Sequence, residues 1–79
     1  MRYGSEGGAE RSRSVGIGSI TYAMKAKALL EASGMIAEVI RLDPAKTPRG
    51  CSYGLRVSER NLRAVTAVLE ASGIAYSLL

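Results

Sequence analysis

Ala28-Leu29-Leu30-Glu31-Ala32-Ser33-Gly34 and Ala67-Val68-Leu69-Glu70-Ala71-Ser72-Gly73 are near copies of one another, 39 residues apart in a chain of 79. Each reads as the last two turns of a helix stopped by glycine, the residue that enters the left-handed region at least steric cost. Upstream of the first copy, Ala23, Ala26, Leu30 and Ser33 follow helical spacing, with Leu29 beside them. Ser19 or Thr21 can cap that helix. Upstream of the second copy, Leu62, Val65, Leu69 and Ser72 mark the same kind of stripe, with Ser58 as cap and Glu59 in the first turn, where an acid suits the helix dipole.

The residues around the helices read as strands. Val15 to Ile20 is short and apolar, and its glycines Gly16 and Gly18 permit close backbone approach. Ile36 to Leu42 is rich in β-branched residues. Gly54 to Val57 puts Leu55 and Val57 on one face, and Ile74 to Leu79 puts Ile74, Tyr76 and Leu78 on one face. Asp43 to Gly50, with two prolines and a glycine, is a loop. The order is βαββαβ in two halves. The expected fold is therefore α+β, a ferredoxin-like split βαβ domain with a four-stranded antiparallel sheet and two helices on one face. Residues 1–13, rich in Gly, Ser and charge, are expected to be a tail. Residues 14–79 are expected to form one domain.

Size and composition narrow the function. A chain of 79 residues holds one small domain and cannot contain a Rossmann domain, a kinase or a TIM barrel. No apolar run reaches the length of a membrane span, and the N-terminus lacks the apolar core of a signal peptide. There is no His, so histidine-based catalysis and histidine metal sites are absent. The single Cys leaves no internal disulfide and no metal-binding CxxC, and suits a reducing cytoplasm. No cofactor and no metal are expected. Eleven Lys and Arg against seven Asp and Glu give a net charge of +4, which permits an anionic partner without requiring one.

RNA-recognition motifs share the βαββαβ order, but the segment Arg49 to Arg56 keeps one of their three stacking aromatics and the first strand has none, so nucleic-acid binding is not expected. A heavy-metal domain needs CxxC where this chain has Gly-Ser-Ile-Thr. The segment Gly16 to Thr21 is neither a P-loop nor GxGxxG, although its backbone N–H groups at a helix start could hold an anion.

What remains is Cys51, in Thr47-Pro48-Arg49-Gly50-Cys51-Ser52-Tyr53-Gly54. Flanking glycines predict an exposed thiol, and Lys46, Arg49, Arg41 and Arg56 are cations that would favour a thiolate or persulfide anion. Two consecutive up-running strands put this loop and the start of the first helix at the same end, so Cys51 is expected near Ser19 and Thr21. The plainer alternative is a half-buried small hydrophobe at a strand edge.

Gly18-Ser19-Ile20-Thr21-Tyr22-Ala23-Met24-Lys25-Ala26, Ser33-Gly34, Thr47-Pro48-Arg49 and the Cys51 turn together resemble the small selenium/sulfur carrier-like proteins, over about residues 15–79. Ser52 stands where that family often has Gly after the Cys, and no second loop Cys is present. The resemblance implies a non-enzymatic carrier, with Cys51 holding sulfur or selenium as a persulfide or perselenide. Ser19, Thr21, Arg49, Gly50, Ser52, Tyr53 and Gly54 would support the loop, and a cysteine desulfurase-like donor would load it. The competing expectation is a small interaction or regulatory module, with a homodimer that pairs through its open sheet face as one form of it.

Overall fold

The structure, a computed structural model, describes residues 11–47 and 50–79. Its elements run β1 (Ser12–Gly16), α1 (Ile20–Ala32), β2 (Ala37–Arg41), a 3-10 turn (Pro44–Lys46), β3 (Tyr53–Ser58), a second 3-10 turn (Glu59–Asn61), α2 (Leu62–Ala71) and β4 (Ser77–Leu78). The sheet order is β2-β3-β1-β4, with every neighbouring pair antiparallel. β3 thus splits the first βαβ unit and β1 splits the second, the α+β arrangement that the duplicated pattern implies.

The repeat is a structural repeat. At the end of α1, Gly34 donates its N–H to Glu31 O at 3.0 Å and Met35 donates to Leu30 O at 2.9 Å. At the end of α2, Gly73 donates to Glu70 O at 3.2 Å and Ile74 to Leu69 O at 2.9 Å. Both are Schellman turns, and both glycines have positive φ, 84° and 71°. Each turn carries an apolar residue back over the helix: Met35 packs against the core and Ile74 is buried within it. Leu30 and Leu69, the matching residues of the two copies, are fully buried.

The core lies between the helices and one sheet face. Val15, Ile17, Ala37, Leu55 and Val57 meet Ala23, Ala26, Leu30, Val65 and Leu69 there. Alternation sends Ser14, Gly16, Glu38, Ile40, Gly54 and Arg56 to the helix-free face, since Ser14 pairs with Arg56, Gly16 with Gly54 and Glu38 with Arg56. The adjacent Val39 and Ile40 are resolved in this way: Val39 packs on the core and Ile40 faces away from the helices.

Several expected boundaries move. β1 begins at Ser12, because Ser12 and Arg13, assigned to the tail by composition, pair with Ser58 and Val57. Arg11 also joins the fold, its carbonyl accepting the Glu59 N–H at 2.8 Å, and residues 1–10 of the expected tail lie outside the described residues. β1 ends at Gly16 rather than Ile20, because Ser19 caps α1 by accepting the Tyr22 N–H at 3.2 Å. Ser33 and Ser72, expected on buried stripes, are exposed helix ends. The last strand keeps only Ser77–Leu78, since Ile74 is taken by the Schellman turn.

A Cβ at Gly34 or Gly73 would meet nothing within 4 Å, so only backbone strain opposes substitution there. Gly34→Ala and Gly73→Ala should each lower stability by about 1–2 kcal/mol, equally at both sites, with Asn recovering part of the loss. Gly54 differs, because its Cβ would collide with the Val15 carbonyl oxygen in the paired strand and lie 2.9 Å from Leu42 Cδ1. Gly54→Ala should cost about 3 kcal/mol or more, since relief requires β1 and β3 to separate. Urea unfolding of the three alanine variants gives the ranking.

Candidate functional site

Residues 42–47 and 50–52 follow β2, and Cys51 among them lies against Gly16, where β1 finishes. Asp43 O accepts the Lys46 N–H at 2.9 Å and Asp43 Oδ1 the Ala45 N–H at 3.0 Å, which forms the 3-10 turn. The Thr47 hydroxyl donates to Cys51 O at 2.8 Å, and Gly50, with φ of 65°, donates its N–H to Thr47 O at 3.2 Å. Leu42 N–H donates to Ser52 O at 2.8 Å and closes the base of the loop.

This folding seats two side chains above the opposed glycines of β1 and β3. A Cβ at Gly16 would lie 3.2 Å from Cys51 Sγ and 3.7 Å from Leu79 Cδ2, and Leu42 covers Gly54. Gly16 faces away from Val15 and hence away from the helices, so the thiol rests on the helix-free side. It is buried but lies outside the cluster that joins sheet to helices.

The expectation of an exposed thiol is corrected: Cys51 is 6% exposed. Glycines flank it in sequence, but its side chain lies against Gly16, while the Thr47 hydroxyl bonds its backbone carbonyl. The expected position is also refined. Cys51 is at the α1 end of the sheet, but it lines a cavity of about 230 Å³ with Gly16, Ile17, Gly18, Ala75, Tyr76 and Ser77. Ser19 and Thr21 are not among the lining residues. Ser19 is the helix cap, and Thr21 is exposed in the first turn of α1.

The other expected loop residues are structural neighbours. Tyr53 O accepts the N–H groups of Ile17 at 2.9 Å and Gly18 at 3.2 Å, which ties the loop exit to the β1–α1 turn. These two N–H groups, expected to be able to hold an anion, are therefore engaged. Ser52 contributes its carbonyl, Gly50 its left-handed backbone and Gly54 the space above. Arg49 lies outside the described residues. Of the other cations, the Arg41 guanidinium carbon is 5.9 Å from the Tyr53 ring centroid, a cation–π contact. Arg56 pairs with Glu38 at 3.1 Å. Lys46 ends the exposed 3-10 turn.

Sequence reasoning missed the far wall, Ala75 to Ser77. The glycines of β1 did signal a close approach, but nothing in the sequence says which face it is on. A larger cleft of about 440 Å³ lies towards the other end of the sheet, lined by Ser12, Ile36, Glu38, Arg56 and Asn61 among others. It contains an ion pair and serine hydroxyls but no thiol, whereas the smaller cavity holds the one Cys of the chain. Among the described residues no group of three or more Cys, Asp or Glu gathers to hold a metal, and no helix is long and apolar enough to cross a membrane.

At the cavity wall the Tyr76 hydroxyl donates to Glu70 Oε2 at 2.6 Å. That bond, together with partial burial and the Glu70 charge, raises the phenol above its ordinary value of 10.0, while the Thr66 hydroxyl opposes the shift. A raised acid is held in its neutral form by folding, so its contribution is complete below about pH 10 and is lost as pH rises through the folded value. Wild type should exceed Tyr76→Phe in urea stability at neutral pH, and the difference should shrink only above about pH 10. Absorbance titration should place the Tyr76 transition above that of an unfolded tyrosine.

Neither the curated proteins nor the solved structures offer a match to this chain. A family model described as "Putative Se/S carrier protein-like" matches residues 15–79, which takes in both halves of the duplicated fold, the cavity and Cys51. The chain belongs to that selenium/sulfur carrier-like family.

Proposed function

We propose that this protein is a sulfur or selenium carrier that holds its cargo as a persulfide or perselenide on Cys51. The observation that carries this reading is the match over residues 15–79, joined to a chain whose single Cys lines a cavity. The protein needs no catalytic base for the role. A thiolate can attack the outer sulfur of a persulfide on a cysteine desulfurase-like donor, and the same exchange run onward delivers the sulfur to an acceptor. A reducing cytoplasm suits a lone thiol of this kind. Gly16, lacking a side chain, lets the sulfur lie against β1, and the buried setting slows attack by bulk oxidants on the loaded form.

Incubation with a desulfurase and cysteine should add the mass of one sulfur to the wild type and none to Cys51→Ser. Equal masses for the two proteins would end the proposal.

One observation favours a second reading, a small interaction module: the thiol is almost covered. The helix-free face is polar around Ser14 and the Arg56–Glu38 pair, while Ile36 beside it is 84% exposed. Native-state alkylation separates the readings. A carrier thiol should react much faster than the chain unfolds, whereas a purely structural thiol should react only at the rate of unfolding. Light scattering supplies the complement, since a module that pairs through this face should dimerise and Ile36→Glu should abolish the dimer.

A further inference from the structure

Strand β2 is a free edge of the sheet, and its hydrogen bonding fixes what that edge offers. Leu42 donates to Ser52 O at 2.8 Å, and along the same register Ile40 stands opposite Gly54 and Glu38 opposite Arg56. Bonded pairs alternate with unbonded ones in an antiparallel ladder. Glu38, Ile40 and Leu42 therefore direct their N–H and C=O groups to β3, and those of Ala37, Val39 and Arg41 point away from the sheet. The far side of β3 agrees: Tyr53, opposite Arg41, gives its carbonyl to Ile17 at the end of β1 instead. The side chain of Ala37 is in the core, but its N–H and C=O lie in the plane of the sheet.

The other edge, β4, is two residues long, whereas β2 runs for five residues with no proline and no bulge. Such an edge is a template for another strand. We infer that a second copy of this chain covers it, β2 against β2 in an antiparallel register centred on Val39. The inference does not rest on the carrier reading.

Three observations carry it. The first is register. Only Ala37, Val39 and Arg41 bond outward, so they must face the same set of residues in the partner. Centring on Val39 places Ala37 opposite the partner's Arg41 and Val39 opposite the partner's Val39, which bonds both backbone groups of all three residues. Moving the centre to Glu38 sets Glu38 against the partner's Glu38, a like-charge pair, and leaves Arg41 opposite residue 35, before the strand begins. Moving it to Ile40 leaves Ala37 opposite residue 43, past the strand's end.

The second observation is Ile36, 84% exposed on the helix-free face at the start of β2. The register centred on Val39 sets it opposite the partner's Leu42, so an apolar pair closes each end of the ladder. The third is the flank of α1. Tyr22 lines a cleft with Gly73 and Ile74, so its side of α1 faces the α2 half of the layer. Met24 lies about 160° round the helix from Tyr22, and Ile20 is one turn from Met24. These two, 60% and 41% exposed, are therefore on the flank turned towards the β2 edge. α1 packs over β2 and β3. With strands about 4.8 Å apart, the two-fold axis sets α1 about 10 Å from its copy, an ordinary helix-packing distance. Ile20, Met24 and Ile36, half of the exposed large hydrophobics among the described residues, thus border the second copy. Cys51 lies against β1, two strands in from this edge, so the pairing does not cover it.

Light scattering of the full chain should give the mass of two chains at high concentration. Amide exchange should find Ala37, Val39 and Arg41 protected in the dimer and open on dilution, while Glu38, Ile40 and Leu42 stay protected throughout. Arg41→Pro removes an outward N–H and no bond within the chain, and Met24→Lys charges the α1 flank. Each should weaken pairing about tenfold or more. Ser14→Glu, on the helix-free face of the interior strand β1, should leave pairing unchanged. A single-chain mass at millimolar concentration overturns the inference. So does a dimer in which Ala37, Val39 and Arg41 exchange as fast as in the monomer. A dimer lost in Ser14→Glu and kept in Arg41→Pro also overturns it, and assigns the pairing to the helix-free face. If Arg41→Pro does not fold, the wild-type exchange pattern decides alone.

Discussion

The contact on which this structure turns is a pair of glycines facing each other across the central strands. Gly16 of β1 and Gly54 of β3 are register partners on the helix-free face. In most sheets the side chains at such a pair would meet each other and hold off anything above them. Here nothing stands above the backbone, and the loop after β2 settles into the space, with Cys51 over Gly16 and Leu42 over Gly54. The two positions are not equivalent. A methyl group at 16 would press on a movable side chain, whereas a methyl group at 54 would strike the backbone of the paired strand. Gly54 is thus needed for the sheet to close, and Gly16 for the thiol to sit beside it.

The same constraint explains how so short a chain makes a sheltered site. A domain of this size cannot enclose a cavity inside its core without losing much of the burial that holds it together. The core between sheet and helices is filled by Val15, Leu30, Leu55, Val65 and Leu69, all fully buried. The shelter is built on the other side of the sheet, from a loop that bonds to itself through Thr47 and Gly50 and to the sheet through Ser52 and Tyr53. The cost falls on loop ordering rather than on core packing.

What could be read from the sequence follows from this division. The helices, their glycine stops and the split βαβ order were legible because they depend on local periodicity and on a duplicated stop signal, and Leu30 and Leu69 prove equivalent in space as in sequence. Which end of the sheet holds Cys51 was also legible, since strand direction alone fixes it. The face was not. It depends on whether Gly16 is in or out of phase with Val15, and on a loop held by several bonds, among them the Thr47 hydroxyl to the Cys51 carbonyl. Sequence rules read a Cys between Gly50 and a turn as exposed, because they see the flexible backbone and not the hollow that it folds into. Short β4 was misjudged for a related reason: Ile74 alternates correctly for a strand, but the Schellman turn claims it first.

A buried sulfur on a carrier then becomes a matter of balance rather than a contradiction. A persulfide is more reactive than the thiol that bears it, so a carrier that exposed it fully would lose it to any passing thiol. A carrier that enclosed it fully could neither receive nor release it. With no histidine in the chain, no neighbouring side chain of that type can switch the thiol on and off near neutral pH. The small residues Gly18, Ala75 and Ser77 line the space beside the thiol. The same steric logic makes no distinction between sulfur and the slightly larger selenium.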